Sequence, residues 1–177
     1  MPQAAEELMS LIESVRHCDF LQAIPQPFYA RLEQLAHPCN YAAGAVLFVE
    51  GLDHPEFQVV AEGRVRLDML VPRRGRIPIL TCGEGDVLAW SALLGDSIMT
   101  TTAVALEPVK TVAFRGDQLR RLCESEHEIG YHVMRQLATT LSRRLIATRL
   151  QLLDLFADHI PKMDLACTIG GPGELVV

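Results

Sequence analysis

The sequence has no run of about 18 uninterrupted apolar residues, the length a membrane-spanning helix requires. It has no basic excess either, since 16 Lys and Arg against 22 Asp and Glu leave a formal charge of −6. Direct contact with a phosphate backbone needs a concentrated basic surface, so DNA binding is not expected. The opening Met1 to Glu13 lacks the basic start of a signal peptide, and a cytoplasmic protein is expected. No short Cys-x-x-Cys pair is present among Cys18, Cys39, Cys82, Cys123 and Cys167. This excludes the usual zinc and iron–sulfur motifs and points to reduced, mostly core thiols. Ser91 stands outside any Gly-x-Ser-x-Gly elbow, so hydrolase chemistry, and enzymatic activity generally, is not expected. Of His17, His37, His54, His127, His132 and His159, only His127 and His132 are taken as a close pair. Their spacing of five misses the three or four that puts two ligands on one helix face, and no metal site is expected.

What is present divides by its period. From about Ala4 to Ala36, Leu8, Leu11, Ile12 and Val15, then Phe28, Leu32 and Leu35, recur at helical spacing, with Pro25 and Pro27 breaking the stretch into two pieces. From Tyr41 the period moves toward two. Val46 to Val49, Gly63 to Leu67, Ile77 to Thr81, Ala103 to Leu106 and Val109 to Phe114 read as strands. Turn signals at Gly44, Gly51, Gly63, Gly75, Gly83 and Gly85 have the spacing of a compact antiparallel roll, sandwich or barrel.

After Gly116 the helical period returns, and from about Glu126 to Ala157 there is no Pro and only Gly130. Within that helix Met134, Ala138, Leu141, Leu145, Thr148, Leu152 and Leu155 alternate steps of four and three, a heptad seam that wants a partner helix. A helix of about 30 residues extends about 45 Å and outruns a small roll, so a homodimer is expected. The alternative is an ordinary helix packed on its own domain. The organisation predicted is an N-terminal helix (1–19), a β-roll (20–125), a long helix (126–157) and a flexible tail (158–177) too short for a helix-turn-helix. The fold class is α+β, an antiparallel, jelly-roll-like β-roll with N-terminal helices and a long C-terminal dimerisation helix.

The order of elements, with Gly85-Asp-Val-Leu-Ala-Trp-Ser-Ala-Leu-Leu94 followed by Thr100-Thr-Thr-Ala-Val-Ala-Leu-Glu-Pro108, resembles the cyclic-nucleotide-binding domain of the catabolite-activator and fumarate-nitrate-regulator superfamily. The resemblance covers roughly Phe20 to Phe156. It implies a phosphate-binding cassette between the two strings, here Ala89, Trp90, Ser91, Ala92, Met99, Thr100 and Thr101. Backbone N–H groups of Ser91, Ala92 and Leu93 would face an anion at the start of a short helix. The family's Gly-Glu pair, which accepts a hydrogen bond from the ribose, is matched by Ala89 and Trp90. Its phosphate-pairing arginine is matched by Met99, and Gly95 to Thr102 contains no arginine at all. A partly buried arginine–phosphate contact contributes about 1.5–3 kcal/mol, so cyclic AMP or GMP binding is expected to be weak or absent.

Other residues carry two readings each. Arg73, Arg74 and Arg76 around Gly75 are a solvated hairpin tip or a contact for an anion. Arg143, Arg144 and Arg149 flank the seam or reach toward an anion in a partner's roll. Thr148 bonds its own helix four residues back or, as the resemblance implies for this helix, meets a ligand ring. Cys18 beside His17 is a buried thiol next to a surface histidine, or a haem ligand or nucleophile. The function expected is a small-molecule sensor that couples the roll to the dimer helix. Two alternatives remain: a ligand-free scaffold dimer whose pocket is filled by Trp90 and Met99, and a sensor of a less polar anion or aromatic acid. The downstream protein partner is not legible.

Overall fold

The computed structural model describes residues 24–157 together with 9, 12, 13 and 19–22. Helix α1 (Asp19–Gln22), a 3-10 turn (Gln26–Phe28) begun at Pro25, and α2 (Tyr29–Glu33) lead into the strands. Eight strands follow: β1 (Ala36–Tyr41), β2 (Val46–Phe48), β3 (Glu56–Glu62), β4 (Val65–Val71), β5 (Gly75–Cys82), β6 (Val87–Leu88), β7 (Thr102–Ala105) and β8 (Val109–Arg115). A four-residue helix α3 (Ser91–Leu94) lies between β6 and β7. Helices α4 (Gly116–Ser125) and α5 (His127–Ala157) close the described chain.

The strands form two four-stranded antiparallel sheets, β1-β8-β3-β6 and β2-β7-β4-β5. This is the expected α+β antiparallel roll. Leu47, Phe48, Val60, Val65, Leu67, Cys82, Leu88, Ala89, Met99, Ala103, Ala105 and Val109 make one buried cluster between them. At about 25 cal/mol per Å² of apolar surface, this lumen is a principal source of the fold's stability. On the opposite face of the first sheet, Phe57 stacks with Phe20 at 5.3 Å and with Phe114 at 6.2 Å between ring centres. Phe57 is fully buried and Phe20 and Phe114 nearly so.

The strands depart from the sequence reading at β1 and β3, and the two-residue β6 was not expected either. Residue 36 belongs to a strand, five residues before the expected change of period at Tyr41, because β1 is an edge strand that takes up Pro38, and an edge tolerates a residue with no N–H to donate. Strand β3 was not among the expected strands. Its residues Phe57 to Ala61 are all buried, so it lies inside the first sheet with both faces covered and shows no alternation of polar and apolar residues.

The first part of α5 buries Ile129, Val133 and Leu137, while Met134 is half-buried and Ala138 exposed. Residues from Leu141 onward belong to a second unit. There Leu141 is half-buried, and Leu145, Ile146, Leu150 and Leu153 are each more than half exposed. Ile146, Leu150 and Leu153 lie off the expected seam, so the apolar stripe is wider than a two-helix seam needs. The side chains of Leu152 and Leu155, the tail 158–177, His17, Cys18 and most of the N-terminal helix lie outside the described residues.

Candidate functional site

The segment between β6 and β7 is pinned at both ends. Ala89 has φ +52°, the left-handed region that glycine occupies at no steric cost. The resemblance puts the family's glycine at this position, and the backbone here has the conformation a glycine suits. After α3, Gly95 and Ser97 turn the chain at φ +154° and +55°. The returning segment is held by Met99 N–H to Leu52 O at 3.0 Å, Gly51 N–H to Met99 O at 2.8 Å and His54 N–H to Ser97 O at 2.9 Å.

These constraints divide the expected cassette into two sets. Met99 is 2% exposed and Ala89 6% exposed, and both are members of the lumen cluster. The place assigned to a guanidinium therefore holds a thioether packed among Leu, Val and Phe side chains. Trp90, half-buried and outside that cluster, lines an open recess of about 330 Å³ with Ser91, Leu94, Asp96, Ile98 and Thr100. Met99, and not Trp90, fills the lumen. Among the described residues, the charged group lining the recess is the Asp96 carboxylate, which disfavours an anion there. Thr101 is half-buried and lines neither space.

The backbone donors are also committed. Ala92 N–H donates to Ala89 O at 3.0 Å and Leu93 N–H to Trp90 O at 3.1 Å, so the turn uses two of the three N–H groups assigned to an anion. Carbonyls at the other end of α3 are held by α4. Arg120 donates from Nε to Leu93 O at 3.3 Å and from Nη2 to Ala92 O at 3.1 Å. One turn before Arg120, a Cβ on Gly116 would come within 2.1 Å of Ala92 O. The cassette helix is thus locked to α4 by a close approach and two hydrogen bonds. At the start of α5, a Cβ on Gly130 would meet Cys123 O of α4 at 2.5 Å, so these two helices are in close contact as well.

The lumen also has a polar part that the sequence reading missed. Gln58, fully buried, accepts from Thr111 Oγ1 at 3.1 Å and donates through Nε2 to Tyr41 OH at 2.9 Å. Its Nε2 also lies 3.2 Å from His54 Nε2. Burial lowers the His54 pKa from its ordinary 6.5, opposed by Glu56 and Asp53, and pushes the Tyr41 phenol up to about 12. Nearby, His37 Nε2 is 2.9 Å from Glu56 Oε1, and Cys39 Sγ donates to Glu56 Oε2 at 3.9 Å. Burial first, then the Glu56 charge, raises the Cys39 thiol pKa. His37-x-Cys39 on a strand is a spacing of two, which aligns side chains on one face and matches neither a helical ligand pair nor a Cys-x-x-Cys motif.

The remaining candidates resolve locally. Arg73 turns the β4–β5 hairpin at φ +66°, and Arg73 and Arg74 are exposed there. Arg76 donates to the buried Thr102 hydroxyl, which also accepts from Glu50 N–H at 3.1 Å. Thr148 Oγ1 donates to Arg144 O of its own helix at 2.9 Å, the first of its two readings. Arg143 and Arg149 are exposed and Arg144 half-buried.

A sequence profile of the cyclic nucleotide-binding domain matches residues 38–126. No curated protein sequence matches the chain closely enough to count as a relative. Among solved structures, a cyclic nucleotide-binding domain from Methylobacillus flagellatus KT superposes with a TM-score of 0.73 at 17% identity, covering 85% of each chain. The catabolite activator protein of Thermus thermophilus gives 0.62 at 22% identity, covering 81% of this chain and 63% of that one. The regulatory subunit of a cAMP-independent protein kinase A from Trypanosoma brucei, as a triple variant bound to cAMP, gives 0.66 at 16% identity, covering 86% of this chain and 54% of that one. At these identities the structures attest the roll, and the profile, spanning half the sequence, attests the family: the chain belongs to the cyclic nucleotide-binding domain family.

Proposed function

We propose that the chain is a regulatory, non-catalytic module that works without cyclic nucleotide, as a closed roll joined to a self-associating helix. The observation that carries this reading is Met99, 2% exposed inside the lumen cluster where the family resemblance places a phosphate-pairing arginine. A buried phosphate without its cation would be a desolvated, unpaired charge, which costs more than the remaining contacts return. The trypanosomal relative offers a parallel: it is described as cAMP-independent, and the form bound to cAMP carries three substitutions, one of which introduces an arginine.

Self-association through α5 rests on the seam from Met134 to Leu155 and on the exposure of Leu145, Ile146, Leu150 and Leu153. The occupant of that face is a second copy of the same chain, because the heptad repeat is a pattern made for an equivalent helix. Contacts from Gly116 and Arg120 to α3 are the route by which a partner on the helices and the cassette would feel each other.

Two measurements test the two halves. Thermal shift with cyclic AMP and cyclic GMP should leave the melting temperature unchanged, since a ligand that binds only the native state raises it; a dose-dependent rise overturns the ligand-free reading. Sedimentation should give a dimer for the wild type and a monomer for Leu141→Asp, Leu145→Asp. A wild type already monomeric at high micromolar concentration removes the helix from the account.

A further inference from the structure

We propose that His37, Cys39 and Glu56 form a binding site for a borderline-soft divalent metal ion of the zinc class, on the lumen side of the first sheet. The site is independent of the cassette and of the self-association helix. It arises from topology. His37 and Cys39 share one face of β1, and Glu56 stands on β3, two strands away across β8. Opposite His37 and Cys39 the intervening strand carries Ala113 and Thr111. Those small side chains leave the space above β8 open, so the imidazole, the thiol and the carboxylate meet over it.

One ligand atom from each residue lies within 4.8 Å of the other two. The separations include 2.9 Å from His37 Nε2 to Glu56 Oε1 and 3.9 Å from Cys39 Sγ to Glu56 Oε2. Tetrahedral zinc with bonds of about 2.0–2.3 Å sets its ligand atoms about 3.3–3.8 Å apart. Closing on the ion therefore takes shifts of roughly 1 Å or less, within the reach of side-chain rotation. Thiolate and imidazole select zinc, cobalt or copper over magnesium and calcium, which prefer oxygen alone. Three protein ligands leave the fourth position open, the arrangement of a site that exchanges its ion or takes an external ligand rather than a closed structural one. His37 and Glu56 side chains are 38% and 24% exposed, so an ion can enter without unfolding the roll.

Under reducing conditions, metal-free protein titrated with zinc by calorimetry should bind one equivalent per chain. Cobalt in its place should give a thiolate-to-cobalt charge-transfer band. Cys39→Ser, which keeps the side-chain size, should abolish that band. His37→Ala and Glu56→Gln should each weaken zinc by at least the roughly 10–100-fold that even outer-shell changes produce. A Cys18→Ser, Cys167→Ser variant should bind as the wild type does. Loss of the band in that variant, or an unchanged band and affinity in Cys39→Ser, overturns the proposal. So does a wild type that binds neither ion, with circular dichroism confirming the fold in every case.

Discussion

The lumen of the roll holds two parts with opposite chemistry. Around Ala89 and Met99, where a cyclic phosphate would need a cation, every buried cluster member is apolar. Around the buried Gln58 and Thr111 and the half-buried Tyr41 and His54, polar groups are bonded to one another. Gln58 bonds Thr111 and Tyr41 within the chain. A polar cassette would be incomplete until a ligand arrived. The difference sets the Gln58 network, whose polar groups bond one another, apart from the apolar surroundings of Ala89 and Met99.

The comparison breaks most severely at Met99. Met99→Arg on its own places an unpaired guanidinium in the apolar part, and urea unfolding should show a loss of about 3–5 kcal/mol. A loss under 1 kcal/mol would mean that the side chain escapes to solvent and that the lumen is not closed there.

The polar part should break next. Gln58→Leu nearly preserves volume but deprives Thr111 Oγ1 of its acceptor and Tyr41 OH of its donor, which should cost about 2–3 kcal/mol. Adding Thr111→Val should recover part of that loss, since removing both partners costs less than orphaning one. An additive double variant would show that the network is not a unit.

Acid sharpens the contrast further. His54 is held neutral by burial, and its protonation sets an imidazolium N–H against the Gln58 amide that already donates toward Nε2. A lowered folded pKa means that the native state resists the proton the unfolded chain accepts. This contribution to stability is therefore fully present above pH 6.5, the ordinary histidine value, and is lost as pH falls from there through the lower folded value. Melting temperature should drop on acidification below that point, and by less in His54→Gln. Equal slopes in both proteins would remove His54 from the network.

The smallest effect is expected at Ala89. A left-handed alanine costs about 1–2 kcal/mol, and glycine's extra unfolded freedom returns about 0.5–1 of it. Ala89→Gly should therefore stabilise by about 0.5–1 kcal/mol in the same denaturant assay, and a destabilised variant would place the strain elsewhere.

The roll was legible because its turns are marked by glycine and strands such as β4 alternate polar with apolar residues. Strand β3 was not, since full burial erases alternation. Within the cassette the sequence set Ala89, Trp90 and Met99 against the family pattern, but could not show that Met99 turns inward while Trp90 lines the recess. Apart from the His54–Gln58 contact, the Gln58 network and the His37, Cys39 and Glu56 cluster join residues 17 to 53 apart through the order β1-β8-β3, a pairing no local pattern encodes. Gly116 and Arg120 carry no motif of their own, and the approach of Ala92 O gives them a role.

Calorimetric titration with cyclic AMP tests the closed roll most directly, on the wild type and on a variant carrying Ala89→Gly, Trp90→Glu and Met99→Arg. The wild type should give no binding heat. The variant, in which cyclic phosphate supplies the partner its arginine lacks, should bind with a dissociation constant roughly a hundredfold or more below any limit set for the wild type, as two restored contacts of about 1.5–3 kcal/mol imply. Micromolar or tighter binding by the wild type would contradict the account, since it would mean that Met99 does not close the site.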